Sequence, residues 1–259
     1  MRTNALKQAL KDGRTVFGPF VNIPSPIVVE VIGHAGFDFA ILDLEHGLMD
    51  FEIVEHMVRG AECGGLSAVV RTREGFGPDI LRAMEVGAAG VQVPHVSSKK
   101  AALEVVRVAK YHPAGERGLS PYSRAARYSM DAEPGFTDRL NAESLIIVQV
   151  EGVEGLENLD AILTIDGTDV VFLGPNDLSQ SLGMPGQMHH PKVVAAMKDA
   201  VERIRKAGKA AGVFAKDTDD ARHWADLGVQ YVSISMDVGI FLEACRRMVH
   251  TLREEMINH

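Results

Sequence analysis

The sequence predicts an α/β fold, a (β/α)8 TIM barrel, and three observations carry that expectation. Eight short apolar runs recur along the 259 residues, each followed by a loop and most by a helical segment. The runs are rich in Val, Ile and Phe and lack polar alternation, which is the pattern of strands buried on both faces of a parallel sheet. No G-x-G-x-x-G follows the first run, since Gly18 and Gly33 do not form that motif, so an open doubly wound sheet is the second choice. No linker, low-complexity segment or charge block marks a boundary, and residues 1–259 read as one domain.

In chain order the strands are predicted at 16–21, 37–42, 67–70, 90–93, 145–150, 170–173, 210–214 and 229–234. Ser25-Pro26 supplies a capping Ser before a first-turn Pro and opens a helix over 27–34. Asp50 caps a helix over 51–59, and Ser97-Ser98 precedes one over 101–109. Pro191 opens a helix over 193–207 that stops at Gly208, and Asp217-Thr218 precedes one over 219–227 that stops at Gly228. The last helix, 238–256, carries Phe241, Leu242, Cys245, Met248, Val249 and Leu252 on one face, broad enough to pack on a barrel or on a neighbouring subunit. Residues 111–141 break the rhythm with Arg117, Arg124, Arg127, Arg139, Tyr122 and Tyr128; a connection this long in a compact domain is functional or interfacial.

Composition narrows the function. Hydrophobic residues make up 46% and charged residues 24%, and 27 Lys and Arg against 35 Asp and Glu give a net charge of −8. An acidic chain without a basic block is a poor nucleic-acid binder, and Lys99-Lys100 is too short to make a patch. The longest apolar runs fall short of the roughly 20 residues of a membrane span, and residues 1–13 hold no apolar leader core. Cys63 and Cys245 are too few for a disulfide framework. The expectation is a soluble cytoplasmic metabolic protein without membrane or nucleic-acid partners.

In such barrels the chemistry sits where strands end at their C-termini. Asp43-Leu44-Glu45-His46 follows the second strand, Arg71 the third, Pro94 and His95 the fourth, Glu151 the fifth, Gly174-Pro175-Asn176-Asp177 the sixth, Lys216 the seventh, and Ser235 and Asp237 the eighth. Glu151 and Asp177 end consecutive strands, so either a divalent cation lies between them or each caps a helix or pairs with an Arg. Asp43 and His46 suit a carboxylate that orients an imidazole base, or a His bonded to its loop. Arg71, at the end of a buried strand, needs an anion, either a structural carboxylate or that of a substrate. Gly174 to Asp177 can offer backbone N–H groups to a small carboxylate. Paired glycines are missing from the loops after strands seven and eight, which points to an unphosphorylated acid. Lys216, beside Asp217, Asp219 and Asp220, reads as a solvated lysine rather than a Schiff-base residue. His189-His190 and Asp166-Gly167-Thr168-Asp169 read as surface and turn, and Trp224 as packing.

Asp43-Leu44-Glu45-His46, Arg71, Gln149-Val150-Glu151 and the stretch from Phe172 to Ser179 resemble the metal-dependent pyruvate aldolases of the HpcH/HpaI aldolase/citrate lyase family. Gly87-Ala88-Ala89-Gly90 with Val93-Pro94, and the stretch from Tyr111 to Gly118, fit the same family, and the resemblance runs over nearly the whole chain. It implies a barrel whose last helix is exchanged with a neighbouring subunit, in a homo-oligomer such as a trimer or a hexamer built from trimers. It implies Glu151 and Asp177 as ligands of a divalent metal, Mg2+ or Mn2+ with Co2+ as a further choice. Arg71 would contact the keto acid and stabilise its enolate, and His46 with Asp43 would transfer protons. The backbone from Gly174 through Pro175 and Asn176 to Asp177 would receive the pyruvate carboxylate. Gln149 and Glu45 would support the site, and Glu85 would reach that of the adjacent subunit. The implied reaction is reversible aldol cleavage of a 4-hydroxy-2-oxo acid to pyruvate and an aldehyde; oxaloacetate decarboxylation or a related pyruvate-enolate condensation is the alternative. Gly47-Leu48-Met49 is apolar where sugar-acid aldolases of the family often carry polar residues, which points away from a highly hydroxylated aldehyde.

Overall fold

The computed structural model describes residues 3–73, 77–130 and 133–257. The chain runs α1 (Ala5–Lys11), β1 (Val16–Val21), α2 (Pro26–His34), β2 (Phe39–Asp43), α3 (Phe51–Gly64), β3 (Ser67–Arg71), α4 (Pro78–Glu85), β4 (Gly90–Val93) and α5 (Lys99–Ala109). It continues through a 3-10 turn (Arg124–Ala126) to α6 (Phe136–Glu143), β5 (Leu145–Val150), α7 (Val153–Glu157), α8 (Leu159–Leu163), β6 (Val170–Leu173), α9 (Pro175–Ser181), α10 (Pro191–Lys206), β7 (Ala210–Ala215), α11 (Thr218–Asp226), β8 (Tyr231–Met236) and α12 (Asp237–Ile257). The strands pair in chain order, all parallel, and β8 returns beside β1 with Tyr231 opposite Val16, so the sheet closes into the predicted barrel.

Closure gives every strand two buried faces. Phe20, Phe39, Ile41, Val69, Ile147, Val170, Phe172 and Tyr231 fill the barrel, while Leu42, Val70, Val91, Val148, Leu173 and Val213 point out against Met57, Ile80, Met197, Ile204 and Trp224 of the helices. Phe39 stacks on Tyr231 at 4.2 Å between ring centroids, and Phe172 meets Tyr231 edge-on at 6.1 Å. Each such side chain contributes about 1.5–3 kcal/mol by burial.

Helix starts follow the capping residues. Asp50 accepts the Ile53 N–H at 3.0 Å, Ser98 accepts that of Ala101 at 3.2 Å, and Asp217 accepts those of Asp219 and Asp220 at 3.1 and 3.0 Å. Gly65, with φ of 77°, ends α3 in the left-handed region that favours glycine. Ser25 departs from expectation: its backbone is extended before Pro26, and its side chain makes no cap bond. His190, read as surface, caps α10 by accepting the Lys192 N–H at Nδ1, 3.2 Å away.

Two features lie outside the repeating strand–helix pattern, and the first decides which end of the barrel is open. At the N-terminal mouth, α1 inserts Leu6, Ala9 and Leu10 into the inner core. Asn4 Nδ2 donates to the carbonyls of Ala89 and Glu143, both at 2.7 Å, and Lys7 Nζ lies 2.9 Å from Asp169 Oδ1. That end is stoppered, so a ligand reaches the barrel axis from the C-terminal mouth.

The second feature is α12. It touches the barrel through β1 and β8, where buried Asp237 accepts the N–H groups of Asn22 and Ile23 at 3.0 and 2.8 Å. From Val238 to Arg253 every residue but half-buried Cys245 is exposed, including Phe241, Leu242, Met248, Val249 and Leu252. The stripe read from the sequence is therefore present, and it does not pack on this barrel.

Candidate active site

The C-terminal ends of β2 to β6 bring together most of the residues that the sequence singled out. Asp43 and Arg71 stand opposite one another in register on β2 and β3, and Gln92 on β4 stands beside Arg71. Asp43 is fully buried and grips the guanidinium with both oxygens, Oδ1 to Nε at 2.8 Å and Oδ2 to Nη2 at 2.7 Å. Arg71 Nη1 lies 2.9 Å from Glu45 Oε2, and the guanidinium sits 4.6 Å above the Phe20 ring. A planar cation with a bidentate carboxylate, a second carboxylate and an aromatic floor has one orientation.

The Asp43–His46 pairing expected from the sequence is not what forms. Asp43 Oδ1 accepts the backbone N–H groups of Glu45 and His46 at 3.0 and 3.3 Å, closing the turn, and its remaining capacity goes to Arg71. The His46 ring is exposed and makes no hydrogen bond among the described residues. A short turn brings the backbone amides within reach of the carboxylate before the ring can swing over it.

Glu151 is held from two sides. A chain of amides reaches it through the barrel: Gln92 Nε2 donates to Gln149 Oε1 at 2.7 Å, and Gln149 Nε2 donates to Glu151 Oε2. Across the mouth, the His95 N–H donates to Glu151 Oε1 at 2.8 Å, and His95 Nδ1 lies 3.0 Å from the same oxygen. The other ring nitrogen, Nε2, lies 2.9 Å from Glu45 Oε1. Burial raises the Glu151 pKa, and the nearby charge of Asp177 raises it further, against the opposing pull of Gln149 and His95. Gly174 allows this approach: a Cβ there would lie 2.6 Å from Glu151 Oε2. Gly174 precedes α9, with Pro175 buried and Asn176 and Asp177 exposed on its first turn.

Other expected residues lie elsewhere. Glu85, at the C-terminal end of α4, pairs with Arg117, whose guanidinium stacks 4.6 Å from the Tyr111 ring centre, and neither joins the rim in this chain. Lys216 is exposed and 4.0 Å from Asp217, as a solvated lysine should be. Residues 111–141 hold the 3-10 turn and the start of α6, and with Thr3, Asn4, Ala89 and Ser144 they border a groove of about 680 Å3 at the stoppered end, away from the rim. Leu48 is 95% exposed beside the mouth. Sequence reasoning missed Gln92 and Phe20, and it placed His95 at a strand end without a role. Gln92 was legible as a lone amide in an apolar strand, and His95 by its place at a strand end.

A closed parallel barrel whose C-terminal mouth carries an oriented cation, buried carboxylates and imidazoles is the plan of a (β/α)8 enzyme. The chain belongs to the HpcH/HpaI aldolase/citrate lyase family, whose model matches residues 16–244. It is 36% identical over 246 residues to the hydroxypyruvate/pyruvate aldolase of Pseudomonas aeruginosa, covering 95% of this chain and 91% of that one. It is also 36% identical over 235 residues to the 4-hydroxy-2-oxo-heptane-1,7-dioate aldolase of Klebsiella pneumoniae, covering 90% and 88%. Among solved structures, an HpcH/HpaI aldolase/citrate lyase family protein from Burkholderia cenocepacia superposes with a TM-score of 0.92 at 32% identity, over 97% of this chain and all of that one.

Proposed function

We propose that this enzyme reversibly cleaves a 4-hydroxy-2-oxo acid to pyruvate and an aldehyde. The observation that carries the reading is the Asp43–Arg71–Glu45 ion-pair set beside buried Glu151, within a family whose relatives are named aldolases. Glu151 and Asp177 fit a divalent cation of the Mg2+, Mn2+ or Co2+ kind. Both are oxygen donors, and the charge of Asp177 raises the cost of charging buried Glu151, which a cation beside them relieves. When bound, the ion supplies Lewis-acid stabilisation of the enolate that forms as the C3–C4 bond breaks.

Arg71 presents a second positive charge to the developing enolate, and Asp43 keeps its plane fixed, so no reorganisation is needed as charge builds. The backbone from Gly174 to Asp177 receives the substrate carboxylate, with N–H donors from Asn176 and Asp177, since Pro175 has none. His46, exposed on the turn after β2, takes the proton of the C4 hydroxyl. Gln149, aimed by Gln92, steadies Glu151. Leu48 at the mouth favours an aldehyde with an apolar face. The apolar stripe of α12 docks on a second copy of the chain, making the enzyme a homo-oligomer, and Glu85 serves the neighbouring copy.

The test is pyruvate release from a racemic 4-hydroxy-2-oxo acid, with and without EDTA, then with Mg2+, Mn2+ or Co2+ restored, beside a borohydride trap with pyruvate. Loss to EDTA, recovery with metal and no trapping are expected. Trapping at Lys216 with indifference to EDTA would overturn the metal reading. Carbon dioxide from oxaloacetate without aldehyde release would make the enzyme a decarboxylase.

A further inference from the structure

The eighth strand does not alternate regularly. Gly18 pairs with Ser233 and Phe20 with Met236, so two steps along β1 are matched by three along β8. The extra residue makes a β-bulge at the rim, and Ser235 within it has φ of 56°, a left-handed conformation uncommon outside glycine. A bulge turns every later side chain to the opposite face. Ile234 packs on the outer layer of strands and helices, yet Met236, two residues on, packs on the inner core opposite Phe20. Asp237, which an unbroken strand would send into the barrel with Ser233, is turned toward β1. There its buried carboxylate accepts three backbone N–H groups: those of Asn22 and Val238 at Oδ1, 3.0 and 2.7 Å away, and that of Ile23 at Oδ2, 2.8 Å away. Met236 beside Phe20 and Asp237 on the two residues after Val21 give the end of β1 one course. That course matters at the site, because the Arg71 guanidinium rests 4.6 Å above the Phe20 ring.

We propose that Asp237, aimed by the bulge at Ser235, is a positioning residue for Arg71: it fixes the end of β1 so that the Phe20 ring lies beneath the guanidinium. The proposal rests on the reading of Arg71 as the charge that faces the developing enolate. Asp43 and Glu45 hold the guanidinium through its N–H groups, at 2.7 to 2.9 Å, and these contacts lie in its plane. Phe20 supports its face, and a cation over a desolvated ring is attracted to it. A floor that shifts lets the plane tilt away from the enolate. Three backbone N–H groups around one carboxylate also make a small anion nest, so the anchor can be removed and replaced without altering any other side chain.

The experiment compares the wild type, Asp237→Gly, Phe20→Leu, the double variant and Arg71→Lys, each at a concentration where light scattering gives the mass of the wild type. It reads kcat and KM for pyruvate release, and the Arg71 Nε proton by 15N-resolved NMR without substrate. That proton is shielded by the ring beneath it and is assigned by its loss in Arg71→Lys. Asp237→Gly should move the proton downfield and lower kcat about 3- to 30-fold, the range of a cation–π contact, with KM little changed. Formate, which fits between the freed N–H groups, should bring both readings back toward those of the wild type in the same formate. Asp237→Gly should cost nothing further in Phe20→Leu. At position 235, Gly accepts the left-handed backbone and should keep the proton in place, whereas Val does not and should displace it. An unmoved proton in Asp237→Gly, a loss of kcat that formate does not relieve, or losses that add in the double variant would overturn the proposal and leave Asp237 as a cap of α12. If the wild type releases no pyruvate, or Arg71→Lys keeps the wild-type kcat, the reading of Arg71 falls and takes this proposal with it, even where the proton moves as expected.

Discussion

Replacing Asp43 with Asn separates two roles for one carboxylate. In the folded protein Asp43 accepts two guanidinium bonds, at 2.8 and 2.7 Å, and two backbone bonds to Oδ1. The substitution leaves Oδ1 and its partners in place but sets an amide N–H against Nη2, two donors at 2.7 Å where a charge-assisted bond had been. Breaking one side of a buried ion pair costs about 3–5 kcal/mol. Glu45 still holds Nη1, so the lower end, about 3 kcal/mol, is expected. For a chain of this size that lowers Tm by roughly 6–12 °C.

In catalysis the guanidinium loses its fixed plane, and kcat should fall about 100- to 1000-fold, the range for a displaced charge-stabilising donor. Steady-state kinetics across pH, with a double-mutant cycle against Arg71→Lys, is the assay. Asp43 acting through Arg71 gives an unchanged pH profile and strong non-additivity. A shifted acidic limb, with the two substitutions additive, would show that Asp43 acts on His46 and would refute the argument from the ion pair.

Gly174→Ala forces a Cβ to within 2.6 Å of Glu151 Oε2, so Glu151 must move; Mn2+ affinity should fall about 10- to 100-fold by calorimetry while circular dichroism stays that of the wild type. Lys110 is brought down to about 8 from 10.5, first by burial and then by the charge of Lys7. Between those values the unfolded chain holds one more proton than the folded one, so stability from this group climbs as pH rises from about 8 to about 10.5. Lys110→Met should remove roughly 2 kcal/mol of that climb in urea titrations at pH 8 and 10. Phe241→Asp with Leu252→Asp places charges in the α12 stripe and should lower the mass seen by light scattering to that of one chain; an unchanged oligomer would remove α12 from the interface.

The barrel was legible because closure buries both faces of each strand, leaving uniform apolar runs. Strand ends were less so. Asp43 and Arg71 read as stops after Leu42 and Val70, yet both lie inside their strands, because their mutual pairing lets two charges enter the ladder. The eighth strand begins at Tyr231 rather than Val229, since the Val229 N–H bonds to the Trp224 carbonyl and closes the end of α11. Helices α1 and α4 escaped notice because seven and eight residues are too few for a clear 3.6-residue period. At the site, residue types and strand-end positions pointed to the rim, but partner choice did not follow: spacing suggested Asp43 with His46, while the third dimension supplied Arg71 from the neighbouring strand.

The α12 helix leaves the barrel just after Asp237, and its exposed apolar face lacks the tertiary packing that supplies most of a helix's stability. Its order is thus borrowed from whatever covers the stripe, and a borrowed order depends on concentration. With a second copy as the cover, dilution loosens α12 first, while the barrel core stays folded. Asp237 at its root fastens the loop after β1, so the loss passes through Asn22 and Ile23 to the rim. The enzyme would then fade on dilution well before it unfolds, its specific activity a gauge of how many neighbours each copy has.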